Sequence, residues 1–336
     1  MVCLAMALLQ LLSYLSCYIN PAKAWFMTIF GLLFVPLLAV NLILLVWGIV
    51  RRSRSAFIPA LTVILSLFIL GRFVQFGGKE ESPGDKCTVV TYNVGRFAQD
   101  SDGSKREEVT PAVMEYLASL SADIICLQEF YLPNSTEVEK FVLRYFPGFY
   151  VDYFVTTGRS GKSGNLTISR YPSVGRGVID FKASTNLAVY SDYSIGNRTV
   201  RVYNCHFESY NISLSHILMS SDEVTETEHK MERAITQRPE QVNQVLHDIE
   251  KCSIPAIVAG DFNDNPMSYT YNRLVRGRQD SFKAAGTGFG ATFRDFWPML
   301  RIDYVLYPDG FSVCGYTVDR DVTLSDHYPV ITKFEI

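Results

Sequence analysis

A basic surplus, a cysteine framework and internal repeats are all missing from this chain of 336 residues, and each absence removes a class of function. The formal net charge is -3, so no excess of lysine and arginine favours polyanion binding, which argues against a dedicated DNA-binding protein. The seven cysteines are odd in number and lack compact spacing, which excludes a disulfide scaffold, and no CxxC pair suggests zinc. Cys87, Cys126 and Cys205 lie in apolar strand-like runs, where a cysteine acts as a small buried hydrophobe. Repeats and low-complexity tracts are absent, and charge is almost absent from the first seventy or so residues.

That N-terminal stretch holds three apolar runs, about 1–19, 24–50 and 56–76. A hydrocarbon core about 30 Å thick takes roughly 20 apolar helical residues, so the runs predict three transmembrane helices, the third if Arg72 snorkels. The first run has no basic start, and two more follow it at once, which speaks against a cleaved signal peptide. Arg51-Arg52-Ser53-Arg54 is the dense positive cluster of the region. The positive-inside rule then makes the chain a multi-pass integral membrane protein with a cytoplasmic N-terminus and an extracytoplasmic remainder. The polar, Gly- and Pro-bearing segment 77–85 marks a linker, and 86–336 is long enough for one large domain.

Strand-like runs in that domain cover Cys87 to Tyr92, Asp123 to Gln128, Asn165 to Ser169, Leu187 to Tyr193, Thr199 to His206, Ala256 to Ala259, Ile302 to Tyr307, Ser312 to Val318 and Tyr328 to Phe334. Helices are predicted over Thr110 to Ser119, Thr136 to Tyr145 and Glu223 to Ile249, with a break near Pro239. Many strands and few helices, with some strands apolar throughout and others alternating, predict an α/β (α+β) domain of two packed sheets with helices outside.

Several strand runs end in polar side chains: Asn93, Gln128-Glu129, Asn204-Cys205-His206 and Gly260-Asp261-Phe262-Asn263. A further cluster, Ser325-Asp326-His327, precedes the last strand. Singly, each has a plain reading. Asp261 and Asn263 suit an Asx turn, Asn93 a turn, Glu129 a helix cap or a hard-cation ligand, and His206 a satisfied strand histidine. An EF-hand starting at Asp261 fails at Pro266, where glycine is needed, and at Asn272, where glutamate is needed. Asp303 in Arg301-Ile302-Asp303-Tyr304 adds a carboxylate that can fix one nitrogen of His327 and raise its basicity. The whole inventory suits phosphoryl ester hydrolysis: carboxylates to hold Mg²⁺ or Mn²⁺, histidines to neutralise charge growing on phosphate, and an aspartate to orient water.

An ordered set of motifs carries a resemblance: Thr91-Tyr92-Asn93; Gln128-Glu129; Ser163-Gly164-Asn165 running to Tyr171-Pro172; Asn204-Cys205-His206; Gly260-Asp261-Phe262-Asn263; Arg301-Ile302-Asp303-Tyr304-Val305; and Ser325-Asp326-His327-Tyr328-Pro329-Val330. Over about Cys87 to Ile336 the chain resembles the endonuclease/exonuclease/phosphatase superfamily, in deoxyribonuclease-like and sphingomyelinase-like form. The resemblance implies a four-layer sandwich of two packed mixed β-sheets flanked by helices, preceded here by the three transmembrane helices. It implies Glu129 as principal metal ligand with Asn93 beside it and Asp326 in the metal region, and Asp261 orienting the attacking water. It also implies Asn263 on a phosphate oxygen or that water, His327 oriented by Asp303, and His206 as general acid or phosphate ligand. Asn165, with Asn263 and His206, is expected to bind substrate, and Ser169-Arg170-Tyr171-Pro172 to shape the site wall or simply to end a strand in a turn.

His206, and Gly95 where apurinic endonucleases carry a metal-binding aspartate, point away from base-excision repair. The polar region Glu208 to Arg238 is a natural substrate selector. Arg233 or Arg238 would meet phosphate, or else belong to a solvated helix face. The expected activity is therefore divalent-metal-dependent hydrolysis of a phosphate ester on a lipid head group, nucleotide or nucleic acid, with the lipid bilayer as the other partner and no protein partner. The alternatives are a nonspecific nuclease and an inactive membrane-bound binding module.

Overall fold

The computed structural model describes residues 1–78, 86–98, 105–158, 161–182, 184–210, 221–295 and 300–335. Most of the proposed linker, 79–85, and part of the selector region, 211–220, lie outside them. Four helices open the chain: α1 (Val2–Leu15), α2 (Met27–Leu32), α3 (Phe34–Val50) and α4 (Phe57–Leu70). After β1 (Val74–Gln75) come β2 (Lys86–Asn93), α5 (Arg106–Ser119), β3 (Ile124–Leu132), α6 (Val138–Val142), β4 (Tyr150–Thr157), β5 (Lys162–Ser169), β6 (Ser173–Asp180), β7 (Leu187–Ile195) and β8 (Arg198–His206). The remainder is α7 (Ser221–Lys251), β9 (Ala256–Asp261), α8 (Tyr269–Leu274), β10 (Gln279–Asp280), α9 (Ser281–Ala285), β11 (Gly288–Phe289), β12 (Asp303–Tyr307), β13 (Ser312–Val318) and β14 (Val330–Glu335).

Two six-stranded mixed sheets pack face to face, in orders β10-β12-β9-β8-β7-β6 and β13-β14-β2-β3-β5-β4. Each has a single parallel pair near its middle, β8 with β9 and β2 with β3, amid antiparallel neighbours. Every central strand is covered on both faces. In β3, Ile124 and Cys126 enter the core between the sheets while Ile125 and Leu127 pack under α5. In β9, Ile257 and Ala259 face the inter-sheet core while Ala256 and Val258 pack with Val242 and Val245 of α7. This double burial is why these strands read as continuous apolar runs rather than alternating ones.

The N-terminal part corrects the sequence reading. No helix among the described residues is long and apolar enough to cross a membrane. The span expected over 24–50 is interrupted at Leu33, whose φ of -84° and ψ of 4° separate α2 from α3. At about 1.5 Å rise per residue, the 17 residues of α3 extend roughly 25 Å, and the 14 of α1 and of α4 about 21 Å. The ends of the expected spans serve another purpose. Ser16 Oγ donates to Met267 O at 2.7 Å, Asn272 Nδ2 donates to Cys17 O at 3.0 Å, and Arg72 Nη1 donates to Pro266 O at 3.0 Å. Beyond them β1 pairs with β11, and Cys17, Phe34, Phe73 and Met267 share a small core. The three transmembrane helices, the multi-pass topology and the cytoplasmic and extracytoplasmic assignments built on them are therefore withdrawn.

The side chains of this unit are distributed in an unusual way. Leu4, Leu8, Leu11 and Leu15 of α1, Ile43, Trp47 and Val50 of α3, and Phe57, Leu61, Ile64 and Phe68 of α4 point outward and are exposed. Gln10, Ser13, Asn41, Thr62 and Ser66 are buried between the helices.

Candidate active site

The inward-facing parity that builds the inter-sheet core changes from apolar to polar at one end of the sandwich. Continuing Ile257 and Ala259 by two residues gives Asp261, continuing Val200 and Val202 gives Asn204 and His206, and continuing Ile124 and Cys126 gives Gln128. On β2 the same step carries Cys87 and Val89 to Thr91 and Asn93, and on β12 it carries Val305 back to Asp303. Register then aligns them: His206 and Asp303 both stand opposite Asp261, and Asn93 stands opposite Gln128. Glu129 is out of parity, and a bulge between Leu127 and Phe130, with Glu129 at φ 53°, turns its side chain toward the same place.

Asp261 is at the centre and fully buried. Its Oδ2 accepts from Asn93 Nδ2 at 2.9 Å and Asn263 Nδ2 at 3.0 Å, and its Oδ1 accepts from the Asn263 amide at 2.8 Å. Asn263 reaches this position in the left-handed region, φ 51°. His206 Nε2 lies 3.7 Å and His327 Nε2 3.8 Å from the same Oδ2. His206 Nε2 is also 3.6 Å from Glu129 Oε1, which accepts from Asn93 Nδ2 at 3.2 Å. Burial pushes the Asp261 carboxyl up to about 6 against the opposing pull of His327, and Asp303 adds to the rise.

His327 is held from the other side, its Nδ1 2.9 Å from Asp303 Oδ2 and 3.2 Å from Oδ1. Burial alone would lower its pKa, but the Asp303 and Asp261 charges hold it well above the ordinary histidine value. The ring of Phe293 meets the imidazole edge to face at 5.1 Å.

A buried amide layer lies beneath. Gln128 Nε2 donates to Asn204 Oδ1 at 2.7 Å, Asn204 Nδ2 to Leu127 O and Leu166 O at 3.1 Å each, and Asn165 Nδ2 to Asn204 O at 3.0 Å. These bonds tie the two sheets together exactly where the apolar core stops, as a buried polar group requires. Of the expected site residues, His206, Asp261, Asn263, Asp303, His327, Asn93 and Glu129 come together. Asn165 belongs to the layer below, its amide nitrogen bonded to backbone and side-chain oxygens. Asp326 is exposed at the rim, its Oδ1 accepting from Ser325 Oγ at 3.1 Å.

Some residues of the site were missed. Thr292 Oγ1 accepts from the amides of Ile302 and Asp303 at 3.0 Å each and so sets the start of β12. Arg238 is neither a phosphate ligand nor part of a solvated face. It is buried, with Nε and Nη2 donating to Glu208 O at 2.9 and 2.6 Å and Nη1 2.9 Å from Asp264 Oδ2. It thereby joins the segment after His206 to the turn after Asn263. Nothing in the sequence around Arg238 signals partners so distant along the chain.

The carboxylates suit a hard cation. Asp261, Asp303 and His327 bring polar atoms within 4.8 Å of one another, but His327 and Asp303 are engaged with each other, which leaves the partly exposed Glu129 carboxylate beside Asn93 as the more open donor. His206 Nε2 is buried and makes no hydrogen bond, so it has a position free for a bound group.

The profile described as the endonuclease/exonuclease/phosphatase family matches residues 90–327, most of the chain and every residue of this site. The chain belongs to the endonuclease/exonuclease/phosphatase family. Residues 1–73 match a domain of unknown function. Solved structures share the family fold at low identity. A mannosyl-6-phosphatase from Bacteroides thetaiotaomicron is 19% identical with a TM-score of 0.53, covering 74% of this chain and 100% of that one. The human Nocturnin catalytic domain with bound sulfate is 19% identical with a TM-score of 0.55, covering 74% and 93%. Humanized D. rerio TDP2 is 15% identical with a TM-score of 0.52, covering 75% and 99%. No curated protein matches the chain in sequence.

Proposed function

We propose that the chain is a divalent-metal-dependent hydrolase of phosphoric esters. The observation that carries this reading is the buried Asp261 carboxylate, met by two amides and faced by two imidazoles at the end of the inter-sheet core. Glu129 and Asn93 are the residues we assign to Mg²⁺ or Mn²⁺, with Asp326 at the rim beside them. Such an ion supplies charge neutralisation on the phosphoryl oxygens when bound. Asp261 accepts a proton from the attacking water and aims it, and Asn263 holds its carboxylate in place. His327, kept cationic by Asp303, stabilises charge developing on the phosphoryl group, and His206 donates to the same oxygens or to the leaving group. The test is hydrolysis of phosphomonoesters, phosphodiesters, lipid head groups and DNA by the full chain with Mg²⁺, Mn²⁺ or EDTA. Turnover of at least one ester class that EDTA abolishes supports the reading, and turnover unaffected by EDTA overturns it.

We also infer that the outward faces of α1, α3 and α4 associate with lipid, without crossing it. Their apolar exterior and polar interior reverse the arrangement of a water-facing helical unit, whereas helices meeting hydrocarbon place small and polar groups between them. Arg51, Arg52 and Arg54, all exposed beside this face, suit anionic head groups. The full chain should float with vesicles containing an anionic phospholipid, and Leu8→Glu with Leu61→Glu should abolish flotation. A lipid-free dimer that does not float would assign the face to a second copy and sink the inference.

A further inference from the structure

Beside Asn93 and Glu129 the rim carries two arginines on one aromatic platform. The Arg96 guanidinium lies 5.4 Å and the Arg106 guanidinium 4.3 Å from the centre of the Tyr131 ring. Arg106 Nε also donates to Arg96 O at 3.0 Å, so the two side chains share one platform. Neither forms an ion pair with a carboxylate among the described residues. Of the acidic residues near them in sequence, Glu107 and Glu108 are exposed in the first turn of α5, and Asp100 and Asp102 lie outside the described residues. Two like charges brought to one ring are favoured by an anion near both.

The position is built, not incidental. Gly95, Arg96 and Phe97 all take positive φ, 52°, 56° and 57°, which for Arg96 and Phe97 costs about 1 kcal/mol or more each. The turn is fixed at both ends: the Gly95 amide donates to Asn93 Oδ1 at 3.0 Å, and Phe97 is fully buried edge to face against Phe130 at 5.5 Å. Arg96 is therefore the residue that the strained turn projects into solvent. The platform is equally fixed, since Tyr131 is buried and a side chain at Gly161 would collide with its ring. Three residues separate Arg96 from Asn93, which limits their Cα separation to about 11 Å. An arginine side chain easily spans the rest.

We propose that Arg96 and Arg106, stacked on Tyr131, form a second anion subsite that takes a phosphate of the substrate other than the one cleaved. This deepens the hydrolase reading and rests on it for the word substrate: the substrate class becomes esters bearing a further phosphate near the scissile one. Guanidinium groups suit this purpose because they pair with phosphate oxygens through two parallel N–H bonds while stacking on a ring.

The test measures binding to the full chain in EDTA, without turnover, for two matched pairs of probes. One is the thymidine dinucleotide with and without a 5′-phosphate, and the other is a hexose bisphosphate against its monophosphate. In at least one pair the doubly phosphorylated probe should bind about tenfold more tightly. Which pair responds separates a nucleotide from a sugar source. That preference should fall to nearly one in Arg96→Gln with Arg106→Gln and be reduced in the exposed single variant Arg96→Gln. No preference in the wild type for either pair, or a preference that survives in the double variant, overturns the proposal. Failure of the hydrolase reading is separate, because it shows as absent turnover while this binding preference is still measurable.

Discussion

Asp303 makes its side-chain contacts with one nitrogen of one imidazole, and this decides what its loss should do. Asp303→Asn keeps the shape but removes the charge that holds His327 protonated, so turnover should fall by roughly 10²- to 10⁴-fold. The melting temperature should change little, and a variant with full turnover would show that His327 needs no such partner. At this scale the gathering of the candidate side chains was largely legible. Asp261, Asn263, His206 and Asn93 all stand at the ends of apolar runs, where polar side chains have few other reasons to cluster. Asp326 was less legible, because adjacency to His327 in sequence says nothing of its exposure. Arg238 and Thr292 were illegible, since their partners Glu208, Asp264, Ile302 and Asp303 are joined to them only by the fold.

The strands buried on both sides were read well, as was the edge strand β13 over Ser312–Val318, while other edges were missed. β4 and β6 lie at the open edges of the two sheets and were not anticipated. β6 carries Gly175, Arg176 and Gly177 mid-strand and buries little, so only backbone pairing with β7 makes it a strand. The long helix α7 runs unbroken through Pro239, against expectation. Asp261 is aimed by a local backbone feature of β9. Gly260 has φ 136°, and a Cβ there would collide with the Cys205 carbonyl on β8. Gly260→Ala must therefore shift β9 against β8, moving Asp261 relative to His206. The expected cost is about 1–3 kcal/mol of stability, read by chemical denaturation, with a larger proportional loss of activity. Unchanged stability would mean that the strand pair can part without strain.

At the scale of the whole molecule, the division into an apolar N-terminal part and a large α/β part was legible from composition, but the relation between them was not. Hydropathy counts residues and cannot tell a span from a helix whose end is used for docking. Ser16, Cys17 and Arg72 close their helices onto Pro266, Met267 and Asn272, and Asn265 Nδ2 reaches Gly31 O at 2.9 Å. All four of these partners lie just after Asp261 and Asn263, so the helical unit buttresses the turn that follows the centre of the site. The site itself is the place where the inward parity of both sheets turns polar, and the account stands on Asp261 being its chemical centre. The most direct measurement compares steady-state turnover of wild type and Asp261→Asn on one phosphate ester in saturating Mg²⁺, with both proteins shown to be folded. The account expects a fall in kcat of about 10²-fold or more. Equal kcat in the two proteins would contradict it.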